Sequence, residues 1–379
     1  MTEGNPMTTT PGVTTEIAGL PGRLGDPTLE LRTDPRSDPR MLAALAPFGL
    51  DLATPTPPVG PTSPYAAQLA FTDALEASFD TAYAALAGGL PPIGGVHHST
   101  ETVTGVDGND ITLYLSRPAE ATGALPGVLH LHGGGMVMLS AASPTYRRIR
   151  DTIAATGVVV IGVEYRTGAG AHGTHPYPAG LNDCTTALHW VNEHRHELGI
   201  SSLALVGESG GANLSLATTL KAKRDGHLEM IDGVYAAVPY ISGIYGRSQS
   251  ERAQLLPSLV ENDGYLLSCA LMDVTVDVYD PGREHATDPL CWPYQASVED
   301  LRGLPPHVIS VNEVDPLRDE GLAYYRNLTS AGVATSVRTV PGVCHAADMF
   351  LPAHLPEIYQ ATMDSIHHFV GSLPEPPSR

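Results

Sequence analysis

Five short apolar runs, each followed by a longer segment with helical periodicity, constrain the fold of this chain more than any other feature. The runs are GVLHLHG, GVVVIGVEYR, LALVGES, GVYAAVPY and PHVISVNE. They are too short and too rich in β-branched residues for helices, and they indicate buried strands. Strands that alternate with helices in this way predict an α/β fold, with a mostly parallel central sheet covered by helices on both faces.

The rest of the chain suggests four segments. Residues 1–40 begin with a stretch rich in Thr, Pro and Gly that lacks apolar periodicity, and they are predicted to be a flexible arm. Residues 41–95 carry short helical patterns and predict an N-terminal helical segment. A hairpin around the turn DGND then opens the main domain, residues 96–379. The alternation of strand and helix breaks at about 242–294, where an insertion above the sheet is expected.

The charge balance excludes some partners. The chain contains 21 Lys and Arg residues and 41 Asp and Glu residues, which gives a formal net charge of -20. This charge works against binding to phosphate backbones, so no nucleic-acid partner is expected. No run approaches the roughly 20 apolar residues of a membrane span. Because the first residues also lack the order of a signal peptide, we expect a cytoplasmic protein. The oligomeric state is left open, a homo-oligomer included.

The cysteine pattern argues against a metal or disulfide framework. The four cysteines are widely spaced and form no CxxC pair; they are Cys184, Cys269, Cys291 and Cys344. A zinc knuckle and a set of disulfides both require closer or paired spacing. We therefore expect four reduced thiols.

The run LALVGESGGANLSLATTLKAK carries the strongest sign of chemistry. A predicted strand ends at Val206, a G-x-S-x-G follows as Gly207 to Gly211, and an Ala- and Leu-rich helix begins at once. This is the context of a nucleophile elbow, in which glycines permit a turn sharp enough to lift the serine into a cleft. Ser209 is therefore the candidate nucleophile, and the helix behind it points its positive end at a developing oxyanion.

A serine nucleophile needs a base, and the base needs an orienting carboxylate, which follow the serine along the chain as acid and then histidine. The strand PHVISVNE places Asp315 in the loop at its C-terminal end, where ligand sites of open α/β sheets lie. Asp319 is the rival, but it is expected at the start of the next helix as a charge partner of the helix N-terminus. Glu313 is the third candidate.

The candidate base is His345, in the loop after the last strand-like run, TSVRTV. His354 precedes the terminal helix, whereas His367 and His368 lie late within it, where surface packing explains them. Cys344 is adjacent to the proposed base in sequence, and a thiol in that position is interpreted as pocket lining rather than as the nucleophile.

The stretch LHLHGGGMVM admits two interpretations. His130 and His132 have the spacing of metal ligands, but a hydrolytic zinc site needs three ligands and glycines follow here. The alternative gives the chemistry to the backbone, since N–H groups in a glycine loop can stabilise the oxyanion of acyl transfer. Gly133 and Gly134, joined by Gly210, are the predicted donors. No metal and no cofactor is expected.

Three residues flank these loops and are predicted to line an acyl or alcohol pocket. They are Met136 beside the glycine loop, Tyr240 at the sheet edge and Leu317 in the loop of the acid.

Together these motifs resemble a known family. HGGGM, GESGG, DPLRDEG and GVCH, supported by VEYR and HPYPAGLND, make the chain similar to α/β-hydrolases of the hormone-sensitive lipase-like group, the bacterial type IV esterases. The resemblance implies an α/β-hydrolase fold with a helical cap built from the N-terminal helices and the insertion. It also implies cofactor-free hydrolysis of short-acyl or aryl carboxylic esters through an acyl-enzyme. Ser209, His345 and Asp315 match the catalytic triad, and His132 matches a histidine that holds the glycine loop.

The chain departs from the family at two places. GESGG replaces the common GDSAG, so Glu208 and Gly210 are substitutions, and TGAGAHGT lengthens a later loop. Both affect the expected substrate range more than the reaction class. Two alternatives stay open: an amidase, carbamate hydrolase or peptidase with the same triad, and a non-catalytic small-molecule binding module. Plant gibberellin receptors resemble this family but lack the catalytic histidine, so His345 argues against a binding module.

Overall fold

The computed structural model describes residues 19–374 and builds them around one sheet. Its strands are β1 (Val96–Thr104), β2 (Asp110–Pro118), β3 (Leu125–Leu131), β4 (Val159–Glu164), β5 (Ile200–Glu208), β6 (Gly233–Ala237), β7 (His307–Asn312) and β8 (Thr335–Val340). Their spatial order is β1-β2-β4-β3-β5-β6-β7-β8. The pairings of β2 with β1 and β4 are antiparallel and the others are parallel. The predicted hairpin and parallel sheet are confirmed.

Helices connect the strands and cover the sheet. They are α1 (Gly22–Gly25), α2 (Pro39–Leu45), α3 (Tyr65–Leu86), α4 (Pro144–Ala155), α5 (Ala179–Glu193), α6 (Gly210–Asp225), α7 (Gln249–Leu255), α8 (Ser258–Glu261), α9 (Cys269–Tyr279), α10 (Val298–Leu301), α11 (Arg318–Ser330), α12 (Ala347–Phe350) and α13 (Pro356–Gly371). The pair α4 and α13 packs on one face of the sheet and the pair α5 and α6 on the other. Among the helices of residues 19–374, none combines the length and apolar character of a membrane span.

The central strands are buried on both faces, which explains their continuous apolar sequences. In β4 only the last residue, Glu164, is partly exposed. In β5 nearly every residue is buried, and its carboxyl end leads directly into the serine turn. Because parallel strands end at the same edge of the sheet, the loops after β3, β5, β7 and β8 meet there.

The N-terminal segment differs from its prediction where the structure describes it. Residues 19–40 pack against the domain, although a flexible arm is predicted over residues 1–40. Leu31 is fully buried, and Arg36 binds the carboxylate of Glu261. Composition does not reveal partners so distant in sequence, so the packed part of this segment was not predictable. The residues before 19 lie outside the described part of the chain.

Two segments far apart in sequence cover the carboxyl edge of the sheet. Helix α3 packs on α9, and the hydroxyl of Tyr65 donates to the carbonyl of Val278 at 3.2 Å. The side-chain amide of Gln68 donates to Asp277 at 2.9 Å. These contacts support the proposal that the N-terminal helices and the insertion after β6 together form a cap.

Candidate active site

Three side chains from three loops form one hydrogen-bonded chain at the carboxyl edge of the sheet. Nε2 of His345 lies 2.9 Å from Oγ of Ser209, and its Nδ1 lies 2.8 Å from Oδ2 of Asp315. Asp315 is fully buried and His345 is 8% exposed. In this geometry the imidazole can take the hydroxyl proton while the carboxylate fixes the orientation of the ring. The structure thus brings together all three residues proposed from the sequence.

The serine occupies the sharp turn between β5 and α6. Ser209 has φ 56° and ψ -119°, a conformation that costs a non-glycine residue roughly 1–3 kcal/mol. A Cβ on Gly207 would collide with the carbonyl of Gly211, and a Cβ on Gly211 with the carbonyl of Leu131. The backbone N–H of Ser209 donates to the carbonyl of Ala237 at 2.9 Å and helps to hold the turn. The sequence G-x-S-x-G is therefore a steric requirement here.

The first glycine of the HGGG loop does not have the predicted role. The N–H of Gly133 donates to Oε1 of Glu208 at 2.6 Å and lies 3.1 Å from the hydroxyl of Tyr146. Because this donor is already engaged with a buried carboxylate, it cannot also serve a substrate oxyanion. The structure contradicts the prediction of Gly133 as an oxyanion donor and makes it the anchor of the loop.

The next two glycines present free donors beside the serine. Gly134, Gly135 and Ser209 line one cavity. Within residues 19–374, no acceptor is found for the N–H of Gly134, of Gly135 or of Gly210, which opens helix α6. Gly135 is not among the predicted donors and takes the place of the first glycine. Free backbone N–H groups near a nucleophile are the kind of donor that can stabilise a tetrahedral oxyanion.

Comparisons with known proteins agree with this geometry. Residues 128–349 match the sequence model of a family with the α/β-hydrolase fold. The chain belongs to this family. The solved structure of brefeldin A esterase, a bacterial homologue of human hormone-sensitive lipase, superposes on this chain with a TM-score of 0.91 and 48% sequence identity. The match covers 93% of this chain and 98% of the esterase chain.

Two curated relatives support the same family. Carboxylesterase NlhH of Mycobacterium tuberculosis is 34% identical over 253 residues, which are 65% of this chain and 74% of the relative. Ethyl acetate hydrolase of Pseudomonas putida is 32% identical over 257 residues, 64% of this chain and 73% of the relative. The predicted α/β-hydrolase fold and the likeness to the hormone-sensitive lipase group are confirmed.

The histidines of the glycine loop of this hydrolase are buried in packing contacts. His132 stacks on Tyr165 with ring centroids 4.1 Å apart, and burial lowers its pKa to about 3. Its neutral ring has Nδ1 2.9 Å from the carbonyl of Gly133, which fits the predicted bracing role. His130 is fully buried, with Nε2 3.2 Å from Oε2 of Glu208. In the described part of the hydrolase, no three His, Cys, Asp or Glu side chains are grouped so that they could hold a metal ion.

The rival acids of the hydrolase serve other contacts. Asp319 accepts the N–H of Ser258 at 2.7 Å and lies in the first turn of α11, as predicted. Glu313 accepts the N–H of Gly342 at 2.8 Å, so it braces the loop that carries the histidine.

The active-site cavity of the hydrolase is narrow and apolar, with a volume of about 70 Å³. Its side-chain lining includes Phe79, Tyr83, Tyr146, Tyr240, Leu271 and Phe350. Of the three predicted pocket residues, only Tyr240 lines the cavity.

The other two predicted pocket residues contribute through their backbones. Met136 is 1% exposed, and its backbone nitrogen lies 2.6 Å from where a Cβ on Gly210 would stand. The N–H of Leu317 donates to Oδ1 of Asp315 at 2.9 Å. A position beside a motif predicts where the backbone runs but not where the side chain points, and for this reason the prediction is wrong for both residues.

A carboxylate on helix α3 holds the far end of the glycine loop. Oε1 of Glu76 accepts the N–H of Leu139 at 2.6 Å, and Oε2 accepts the N–H of Ala171 at 2.8 Å. Asp73 on the same helix accepts the N–H of Gly170 at 2.9 Å. The lengthened TGAGAHGT loop is therefore tied to α3. The sequence signal was the acidic set Asp73, Glu76 and Asp80 in the helical pattern, whose spacings of three and four residues place them on one helix face.

Proposed function

We propose that this α/β-hydrolase cleaves carboxylic esters of short acyl groups or aryl alcohols through an acyl-enzyme intermediate. It is a serine hydrolase of the carboxylesterase type, in agreement with relatives named carboxylesterase, ethyl acetate hydrolase and brefeldin A esterase. The observation that carries the proposal is the chain of hydrogen bonds from Ser209 through His345 to Asp315, at 2.9 and 2.8 Å, beside an apolar cavity.

In the first half of the reaction, Nε2 of His345 takes the proton of Ser209 as Oγ attacks the ester carbonyl. The carbonyl oxygen becomes negative and is stabilised by the N–H groups of Gly134, Gly135 and Gly210. His345 then gives its proton to the leaving alcohol oxygen, and until that transfer the side chain of Asp315 stabilises the imidazolium. A water molecule repeats these steps on the acyl-enzyme and releases the acid.

The cavity supports small substrates. Its volume of about 70 Å³ and its aromatic lining suit a short acyl chain or a compact aryl group, because apolar pockets select by size and shape. Tyr240, on this wall, is held by stacking on Tyr245 with ring centroids 4.9 Å apart.

Two further predictions rest on the sequence. A cytoplasmic location is supported by the four cysteines, which are all free and buried, as a reducing compartment permits. The prediction that nucleic acid is not a partner rests on the net charge of -20.

The direct test is Ser209→Ala, assayed with p-nitrophenyl acetate and butyrate. We expect a folded protein whose kcat is lower by at least about a thousandfold, since the nucleophile and its attack are lost. Thermal unfolding of the variant checks that the fold is kept. Near-normal turnover by a folded variant would refute the proposed nucleophile.

A matched pair of substrates separates ester from amide hydrolysis. We expect p-nitrophenyl butyrate to be cleaved faster than the p-nitroanilide of butyric acid, because p-nitrophenolate is a better leaving group than p-nitroaniline. Equal or faster cleavage of the anilide would instead favour the amidase alternative. A wild-type protein that binds esters without turnover would favour the binding module.

A further inference from the structure

A second apolar cavity lies behind one wall of the active-site cavity. Leu75, Phe79 and Leu271 line both cavities. The second cavity has a volume of about 520 Å³ against about 70 Å³ for the first, and none of its lining residues is charged. It is bounded by α3 and by a loop that includes Phe48 and Leu50. The larger space is therefore separated from the catalytic cavity by a wall that the two cavities share.

We propose that this second cavity binds the apolar alcohol portion of the ester substrate. The inference rests on the proposed ester hydrolysis. His345 must protonate the leaving oxygen, so the alcohol portion lies on the side of this histidine. The first cavity, about 70 Å³ against about 520 Å³ for the second, offers much less room for a long alcohol beside the acyl group. The remaining atoms of the alcohol need an adjoining apolar space, and the second cavity provides one.

A row of aromatic rings leads from the base to the shared wall. Phe350 lies in α12, directly after the histidine loop, and its ring centroid is 4.9 Å from that of Tyr83. Tyr83 stacks on Phe79, a residue of the wall, at 5.6 Å. The lining between the base and the shared wall is therefore mainly aromatic, which suits an alkyl or aryl alcohol.

Side chains rather than backbone form the wall. Leu75 and Phe79 stand four residues apart on α3, the spacing of one helix face, and both are only partly buried. Leu271 comes from α9, so the two cap segments meet here. Rotation of such side chains between staggered positions can widen the passage without a movement of the strands.

The test is a substitution that fills the second cavity at a residue that does not line the catalytic cavity. Ser78 lines the second cavity but not the first, so Ser78→Trp places a large ring there. Among the described residues 19–374, the Ser78 hydroxyl bonds only to the carbonyl of Ala74 in its own helix. Ala85→Trp is the matched control, since Ala85 is exposed on the same helix and lines neither cavity. The substrates are acetates of ethanol, hexanol and decanol, and p-nitrophenyl esters of acetic, hexanoic and decanoic acid.

We expect Ser78→Trp to lower the ratio of kcat/KM for decyl acetate to that for ethyl acetate by at least about tenfold, because each methylene lost from an apolar pocket costs a comparable factor. The ratio of p-nitrophenyl decanoate to p-nitrophenyl acetate should stay close to that of the wild type and of Ala85→Trp. A fall in the acyl ratio instead would assign the cavity to the acyl chain and overturn the proposal. Unchanged ratios in both series would overturn it as well.

A second variant works in the opposite direction. Leu75→Ala opens the shared wall and should raise the ratio of decyl to ethyl acetate, and an unchanged or lower ratio would contradict the proposal even if the tryptophan variant did not fold. Failure of the underlying ester hydrolysis is recognised separately, since the wild-type protein would then cleave neither series.

Discussion

The carboxylate of Glu208 accepts the backbone N–H of Gly133 at 2.6 Å. Glu208 precedes the nucleophile in the elbow, and both its carboxylate and the glycine are buried. One residue of the elbow therefore anchors the loop whose next two glycines line the active-site cavity. The glutamate that replaces the usual aspartate of GDSAG thus has a structural role in this chain: it holds the loop that carries the proposed oxyanion donors.

Glu208→Ala should lower kcat by about a hundredfold, the cost of losing or misplacing an oxyanion donor, with a smaller change in KM. The variant leaves the N–H of Gly133 with only its longer contact, 3.1 Å to the hydroxyl of Tyr146, so the loop can shift away from Ser209. Steady-state kinetics with p-nitrophenyl butyrate measures the effect. Glu208→Gln keeps an oxygen for the same N–H and is the control that should retain most of the activity. An alanine variant with unchanged kcat would show that Glu208 does not position the loop.

Gly210→Ala should reduce kcat by about tenfold or more, although alanine is common at this position in the family. A Cβ on Gly210 would stand 2.6 Å from the nitrogen of Met136 and 2.7 Å from that of Gly135, so a proposed oxyanion donor must move. Gly371→Ala is the control, because a Cβ there meets nothing within 4 Å. The prediction is checked by kcat with p-nitrophenyl acetate, and equal values for both variants would contradict it.

The strands and the triad could be predicted because their signals are local. Runs of β-branched residues identified β3 to β7, and parallel strands deliver their carboxyl ends to one edge. Asp315 and His345 each follow such a strand, so the order of serine, acid and histidine was enough to select them.

The finer features of the site could not be predicted because they depend on contacts between distant segments. Nothing local shows that Glu208 occupies the N–H of Gly133 and thereby shifts the donor role to Gly135. The contact of Glu76 with the glycine loop likewise joins residues 63 positions apart. Such pairings are fixed by packing and become visible only in the folded chain.

Glu76→Ala should lower the free energy of unfolding by roughly 1–3 kcal/mol, because it leaves the N–H groups of Leu139 and Ala171 without their acceptor. Urea denaturation measures this loss, and a higher KM for p-nitrophenyl butyrate should accompany it because Leu139 lines the cavity. Asp73→Ala is the matched control on the same helix. Its single bond is exposed, so the change there should stay below about 0.5 kcal/mol. Equal losses for the two variants would contradict a special role of Glu76.

We expect Glu320 to make the free energy of unfolding depend on pH. Burial raises the pKa of its carboxyl from 4.5 to about 8. One of its oxygens accepts the N–H of Ile241 at 2.7 Å and the hydroxyl of Tyr245 at 2.9 Å. The folded state therefore keeps a proton that the unfolded state releases above its lower pKa. The contribution of this group to stability is complete below pH 4.5 and declines as the pH rises to about 8.

Glu320→Gln removes the titrating group and isolates this effect. We expect the free energy of unfolding of the wild type, relative to that of the variant, to fall between about pH 5 and pH 8 by up to about 1.4 kcal/mol per pH unit. Urea denaturation of both proteins across this range measures the difference, in which the other titrating groups cancel. A difference between wild type and Glu320→Gln that does not change with pH, or that grows with pH, would mean that Glu320 is already ionised at neutral pH and that Ile241 and Tyr245 are held by a charged carboxylate.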